Sequence, residues 1–394
     1  MAPSNLLRRF PPAVLATAFA TFVAFLGIGV VDPVLPSIAE TMGASHAMVE
    51  LLFTSYILVM SVTMLVSGSL STRLSAKTTM LLGLGLVAVF AGLCGLAPSV
   101  PALAVLRGGW GLGNALFTTT ALAIIVGVST EGTTAAVTLF EAALGLGIAA
   151  GPLVGGFLGA QSWRYPFFAT STLMVIGFAV TALAVSNPDR DEQRRTVRDV
   201  IGAFNHPAVL VNALVGLGYS FAFFVVLAYS PLALDVSSMQ LGVTFFGWGA
   251  LVAICSVFVA NRLVSRFGAV TTMVADLAGF ALLLGVMSLT DGTTLLWLVV
   301  LTGAFCGVAN ATLTTLAMRV SPYSRSVSSA AYNSLRWAGA AFAPVIAGYV
   351  GGHYGATTPF LMGAVVVAAG VVALLASASV LRSSLSVPNA SHGD

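Results

Sequence analysis

The chain has 394 residues, of which 58% are hydrophobic and 7% are charged, and a formal net charge of +3. A soluble domain carries about 25% charged residues, so too few polar side chains are present to cover a water-facing surface, and lipid must be the solvent. The slight basic excess makes no case for nucleic acid. Cys94, Cys255 and Cys306 lie in apolar runs without clustered His or acidic partners, which argues against a disulfide framework and against a metal site.

A helix needs about twenty apolar residues to cross the ~30 Å hydrocarbon core. Twelve stretches meet that length: 13–36, 47–69, 78–97, 100–128, 134–160, 166–186, 207–231, 239–260, 269–289, 294–318, 326–350 and 358–381. The first starts behind a short basic tail and shows no small-residue cleavage site ahead of a soluble body, so it reads as a retained span. Short loops marked by Gly, Pro or Ser join most of the spans. The exception runs from Pro188 to His206 and holds Asp189, Arg190, Asp191, Glu192, Arg194, Arg195, Arg198 and Asp199, a run that cannot lie in lipid. The expected organisation is therefore a six-span bundle over 1–187, a charged linker over 188–206 and a second six-span bundle over 207–394.

Lys and Arg concentrate in loops on the cytoplasmic side. With the N-terminus inside, 13 of the 16 basic residues fall in inner segments, Arg164 is in an outer loop, and Arg107 and Arg336 are intramembrane. Both termini are thus expected in the cytoplasm. The halves also resemble each other. Span four reads GLGNALFTTTAL from Gly111 and span ten GVANATLTTLAM from Gly307; SLSTRLSA from Ser69 is matched by RLVSRFGA from Arg262; GPLVGG from Gly151 is matched by APVIAG from Ala343. Three matches in order imply duplicated halves related by an axis along the membrane normal.

Three motifs carry chemistry. Span five contains Gly147-x-x-x-Gly151-Pro152-x-x-Gly155-Gly156. Glycines four apart give a stripe without side chains along which helices approach closely, and the proline removes a backbone hydrogen bond. The stripe is expected to form a tight seam between the two halves; plain packing is the alternative. Span four contains Arg107-Gly-Gly-Trp-Gly111-x-Gly113. The loop after span two reads Gly68-Ser-Leu-Ser-Thr72-Arg73-Leu-Ser75-Ala76-Lys77. Together with the span count and the 6+6 split, these motifs resemble the major facilitator superfamily, and within it the twelve-span drug:proton antiporters. The resemblance implies an all-α polytopic fold with 12 transmembrane helices in two pseudo-symmetric halves, and a gate loop at Gly68, Arg73 and Lys77, with Arg266 in the matching loop. Thr72 stands where that family carries an acid and Ser75 where it carries a second glycine, so the gate is expected to latch through Arg73 alone or elsewhere.

Charges inside a bilayer usually mark function. Arg107 is followed at +4, +7 and +11 by Gly111, Asn114 and Thr118, a polar stripe expected to line a cavity unless the arginine snorkels outward. Asp32 lies at similar depth in span one beside Pro33 and Pro36, and Glu141 about two turns into span five. Arg336 follows Asn333 in span eleven and needs an anionic partner or substrate; Asn310 belongs to the span-ten string that matches Asn114. Asp32, Arg107, Glu141 and Arg336 are the proton-coupling candidates. The span-seven aromatics Tyr219, Phe221, Phe223, Phe224 and Tyr229 either wall a pocket or face lipid, and Tyr219 and Phe223 join the cavity candidates. Asp276 is expected to pair with Arg266 near the inner surface, and Glu50 and Asp235 to be solvated at outer helix ends. His46, His206, His353 and His392 fall in loops or tails and form no relay.

No GxxxxGK[ST] loop is present, so ATP is not expected to drive the protein directly. The expected activity is alternating-access export of a small organic compound in exchange for protons from the inner membrane, by a monomer without cofactors. An exporter of a metabolite, sugar or siderophore on the same fold is the alternative. A membrane-embedded enzyme would need nucleophile or His/Asp clusters within the spans, and none is seen.

Overall fold

The computed structural model describes residues 10–128, 133–186, 197–234, 236–323 and 325–386. Every regular element among them is helical. Twelve long helices coincide with the twelve apolar stretches: α1 Pro12–Met42, α2 His46–Leu74, α3 Ala76–Leu96, α4 Val100–Val128, α5 Thr133–Gly159, α6 Tyr165–Ala184, α7 Pro207–Ala233, α8 Ser238–Phe267, α9 Ala269–Met287, α10 Gly292–Arg319, α11 Arg325–Tyr354 and α12 Thr358–Ala376. Among the described residues, nine are long and apolar enough to cross a membrane. The other three are α4, α5 and α11, the helices that carry Arg107, Glu141 and Arg336. Short helices cover Val197–Ala203, in the charged linker, and Ala378–Ser386.

Three of the long helices are irregular. In α1 a single 3-10 turn at Asp32–Val34 precedes Leu35–Met42, because Pro33 and Pro36 cannot donate to the helical ladder. α7 and α8 each widen to a π turn, at Val225–Tyr229 and Cys255–Val259; such turns occur mostly as single bulges within α-helices.

The contacts fall into two compact units. One comprises 1–44, 51–194 and 236–249, the other 45–50, 195–235 and 250–394. In the first, α1 packs on α5, α6 and α4, and α3 packs on α4 and α6. In the second, α7 packs on α11, α12 and α10, and α9 packs on α10 and α12. Each pairing recurs six helices later. The loop between α2 and α3 and the break between α8 and α9 share one more feature: Ser75 (φ 86°, ψ 152°) and Gly268 (φ 80°, ψ 156°) hold the same backbone conformation. These positions are 193 residues apart, the offset of the loop match in the sequence. Glycine adopts that conformation freely; serine is strained there. Two histidines differ from expectation, since His46 opens α2 and His353 lies in the last turn of α11, where it contacts the carbonyl of Tyr349 at 2.8 Å.

Candidate functional site

In the first unit the site is built around Arg107, which is fully buried in α4. Its Nε donates to the carbonyl of Leu52 at 3.3 Å, while Nη1 and Nη2 have no hydrogen-bond partner. Aromatic faces take the place of acceptors. The guanidinium lies 4.4 Å from the ring centre of Tyr56 on α2 and 4.5 Å from that of Trp110, one turn along α4. Such contacts are worth about 2 kcal/mol or more when desolvated, enough to offset much of the ~2.5–3.5 kcal/mol insertion cost of a central charge. Asn114 donates its amide to the Tyr56 hydroxyl at 2.5 Å. Gly111 lets α4 reach α2: a Cβ there would overlap the Tyr56 carbonyl. The polar stripe therefore packs on α2 along its first two turns, and the snorkelling alternative for Arg107 does not apply. Thr118, farther along, is half-buried with its hydroxyl enclosed and unpartnered.

Asp32 lies in the 3-10 turn of α1, fully buried, with both carboxylate oxygens unpartnered. It does not hydrogen-bond Arg107, but each acts on the other electrostatically. Sequence depth alone brought these two together, and the structure places them in one neighbourhood. The side chains of Glu141 and Arg73 and the surroundings of Gly68 lie outside the described residues.

Gly147, Gly151 and Gly155 press α5 against α1, where their added Cβ atoms would meet the carbonyls of Phe22, Leu26 and Val30, the second at 2.6 Å. The three stripe glycines pack within the first six helices and not, as expected, between the two halves, whereas Gly156 and Pro152 of the same motif do meet a helix of the second half. The other face of α5 meets α8. A Cβ on Gly156 would meet the Ser238 carbonyl, and one on Gly242 would lie 2.7 Å from the Pro152 carbonyl.

In the second unit, Arg336 of α11 donates to Asn310 Oδ1 of α10 at 2.7 Å. Its guanidinium lies 5.9 Å from the ring centres of both Tyr332 and Trp337. Where an anionic partner or substrate is expected, the side chain that this arginine bonds is a neutral amide. Asn333 is half-buried on the same helix. The α7 aromatics are buried and not lipid-facing, with Phe221 as the half-buried exception. Tyr219 packs on Phe223 at 5.9 Å, Phe223 on Phe224 at 5.3 Å, and Phe224 on Trp337 at 6.1 Å.

Two acidic expectations are corrected. Asp276 makes no pair with Arg266: it is buried with Oδ2 unpartnered, while Arg266 is exposed over Phe267. Glu50 is not solvated but fully buried, its Cγ against Gly348 of α11. Asp235 lies outside the described residues. Lys77 donates to the Ala182 carbonyl of α6 at 2.9 Å. Sequence reasoning missed Tyr56, Trp110, Tyr332 and Trp337. A signal existed for two of them, since Trp110 and Tyr332 lie three and four residues from an intramembrane arginine, the spacing at which helical side chains meet, whereas Trp337 is the direct neighbour of Arg336. Nothing in the sequence pointed to Tyr56. Among the described residues no group of three metal-ligating side chains occurs.

The family model for the Major Facilitator Superfamily matches residues 17–344 and 208–392. The chain belongs to the major facilitator superfamily. This superfamily member is 47% identical over 367 residues to the multidrug efflux protein YfmO of Bacillus subtilis, covering 93% of each chain. It is 24% identical over 284 residues to the quinolone resistance protein NorA of Staphylococcus aureus, covering 70% of this chain and 73% of that one. A bacterial homologue of the human lysosomal transporter Spinster, solved in an inward-facing and occupied conformation, has the same fold, with TM-score 0.74, 17% identity and coverage of 94% and 96%. The chain is a membrane transporter of this superfamily.

Proposed function

We propose that the protein exports small organic compounds, apolar or cationic, in exchange for protons by alternating access. The names of its relatives support the cargo class. The observation that carries the coupling is the Asp32–Arg107 neighbourhood, a carboxyl and a guanidinium sealed from water, close enough to act on each other and yet not paired. A transporter driven by protons needs an acid that gains and loses a proton as access alternates. Asp32 has the burial and the cationic neighbour for that, with Glu141 as the reserve. On this reading Asn114, Thr118, Tyr219, Phe223, Asn310 and Asn333 line the substrate path, and Arg336 with Asn310 offers a cation and an amide to polar groups of the cargo. The protein works as a monomer in the cytoplasmic membrane with both termini inside, its repeats divided at the charged linker 188–206.

The test is efflux of a panel of dyes and antibiotics from cells with and without the protein, repeated with a proton uncoupler. Protein-dependent efflux that stops with the uncoupler supports the reading. Efflux that ignores the uncoupler and requires sodium rejects it.

A further inference from the structure

We propose that Asp276 of α9 is a second protonation site, linked through Tyr219 to the Arg336–Asn310 pair. This extends the proton-coupled reading to an acid on a different helix of the second unit. Asp276 is nine-tenths buried, and its Oδ2 has no hydrogen-bond partner. One turn earlier, the hydroxyl of Thr272 is also buried and unpartnered. An ionised carboxylate with a buried, unpartnered oxygen is costly in a membrane, so this side chain is either protonated or compensated by the charge state around it.

Its surroundings supply a connection. Tyr219 of α7 packs on Phe280, one turn beyond Asp276 on α9, with ring centres 6.2 Å apart. The Tyr219 hydroxyl donates to the Cys306 carbonyl of α10 at 3.0 Å. Asp276 acts electrostatically on Tyr219, Cys306 and Cys255, and Arg336 also acts on Tyr219. Tyr219 is thus the group that feels both the acid and the arginine, and Arg336 holds Asn310. Cys255 opens the π turn of α8 and lies against Gly307 of α10, so α8, α9 and α10 converge at the acid.

The titratable groups on the packed elements that Asp276 acts on are Tyr219 on α7, Cys255 at the π turn of α8 and Cys306 on α10; α7 also carries Tyr229, and α10 ends on the exposed Arg319. α12 has none. Arg262 and Arg266 at the end of α8, and Arg382 on Ala378–Ser386, are exposed. No described cation pairs with Asp276, so a change in its proton occupancy changes the field at Tyr219, the group on which Arg336 also acts. Protonation at α9 would then alter how firmly Arg336 holds Asn310, and with it what Arg336 offers to cargo.

The test reads the proton directly and needs no transport, so its failure and the failure of the export reading are distinguishable. Infrared spectra of the full chain in lipid nanodiscs are titrated with pH for the wild type and Asp276→Asn. The expected result is a carboxyl carbonyl band that titrates in the wild type, is lost in Asp276→Asn, and has a displaced midpoint in both Tyr219→Phe and Arg336→Gln. Should Asp276→Asn fail to fold, Asp276→Glu keeps the titrating group and moves the band, which assigns it equally well. Absence of a titrating band at this residue overturns the site, and an unmoved midpoint in either Tyr219→Phe or Arg336→Gln overturns the link.

Discussion

Asp32 and Arg107 pose opposite problems to the bilayer, and the chain answers them differently. Arg107 has two aromatic faces and one carbonyl, whereas Asp32 has no bond to either oxygen. An amide resembles the protonated acid in shape and neutrality. Asp32→Asn is therefore predicted to abolish uphill export while leaving equilibrium substrate binding within about a factor of two, since no hydrogen bond of the side chain is lost and about 0.4 kcal/mol is twofold. Binding by fluorescence quenching and export from vesicles check the two halves of that statement; export intact in Asp32→Asn and lost in Glu141→Gln would move the proton site to α5. Tyr56→Phe keeps the face under Arg107 but removes the acceptor of Asn114. Leaving a buried amide unpaired costs about 1–3 kcal/mol, so the variant should melt at a lower temperature in detergent. Equal melting would mean that Asn114 finds another acceptor. At this scale the sequence was legible for charges and hardly for their partners. Asp32, Arg107 and Arg336 stood out because lipid makes charges conspicuous, while Tyr56 lies on another helix, and spacing says nothing about tertiary neighbours. Glu50 was misread for the same reason: a position near a helix end suggests water, and only packing against Gly348 removes it.

Helices were read well because hydropathy over twenty residues is a strong signal, and each of the twelve stretches is a helix. The π turns in α7 and α8 had no such signature. Asp276 was assigned to Arg266 from proximity to the end of α8, yet it lies seven residues into α9, about 10 Å along the axis at 1.5 Å per residue, too deep for an arginine directed outward. The glycine stripe was legible as a close contact but not as to its partner. Gly151→Leu inserts a branched side chain against the Leu26 carbonyl, and overpacking costs about 1–3 kcal/mol; protein that inserts but transports poorly is predicted. Full transport in a correctly inserted Gly151→Leu would mean that the α1–α5 contact is unimportant to the cycle. Ser75 offers the opposite sign. Its conformation costs about 1–3 kcal/mol for a residue with a Cβ, against a few tenths for losing its cap to the Thr78 amide. Ser75→Gly should raise stability by about 1 kcal/mol, seen as a higher melting temperature; no change would mean that the loop relaxes without cost.

At the scale of the molecule, two six-helix repeats share their internal pairings, and each carries a buried or half-buried arginine, Arg107 or Arg336, over the rings of a tyrosine and a tryptophan. The repeats differ in what the arginine faces. In the first it neighbours an acid without pairing to it, and in the second it is held by an asparagine. That asymmetry suits a division of labour, with proton exchange in the first repeat and cargo contact in the second. The most direct measurement is proton flow in sealed proteoliposomes that hold the purified protein and a pH-sensitive dye, under an imposed pH gradient, as an exported substrate is added. The account predicts that substrate addition drives protons in the direction opposite to the substrate, and that Asp32→Asn stops this flow. Substrate movement with no proton counterflow, or one that survives collapse of the gradient unchanged, would contradict it.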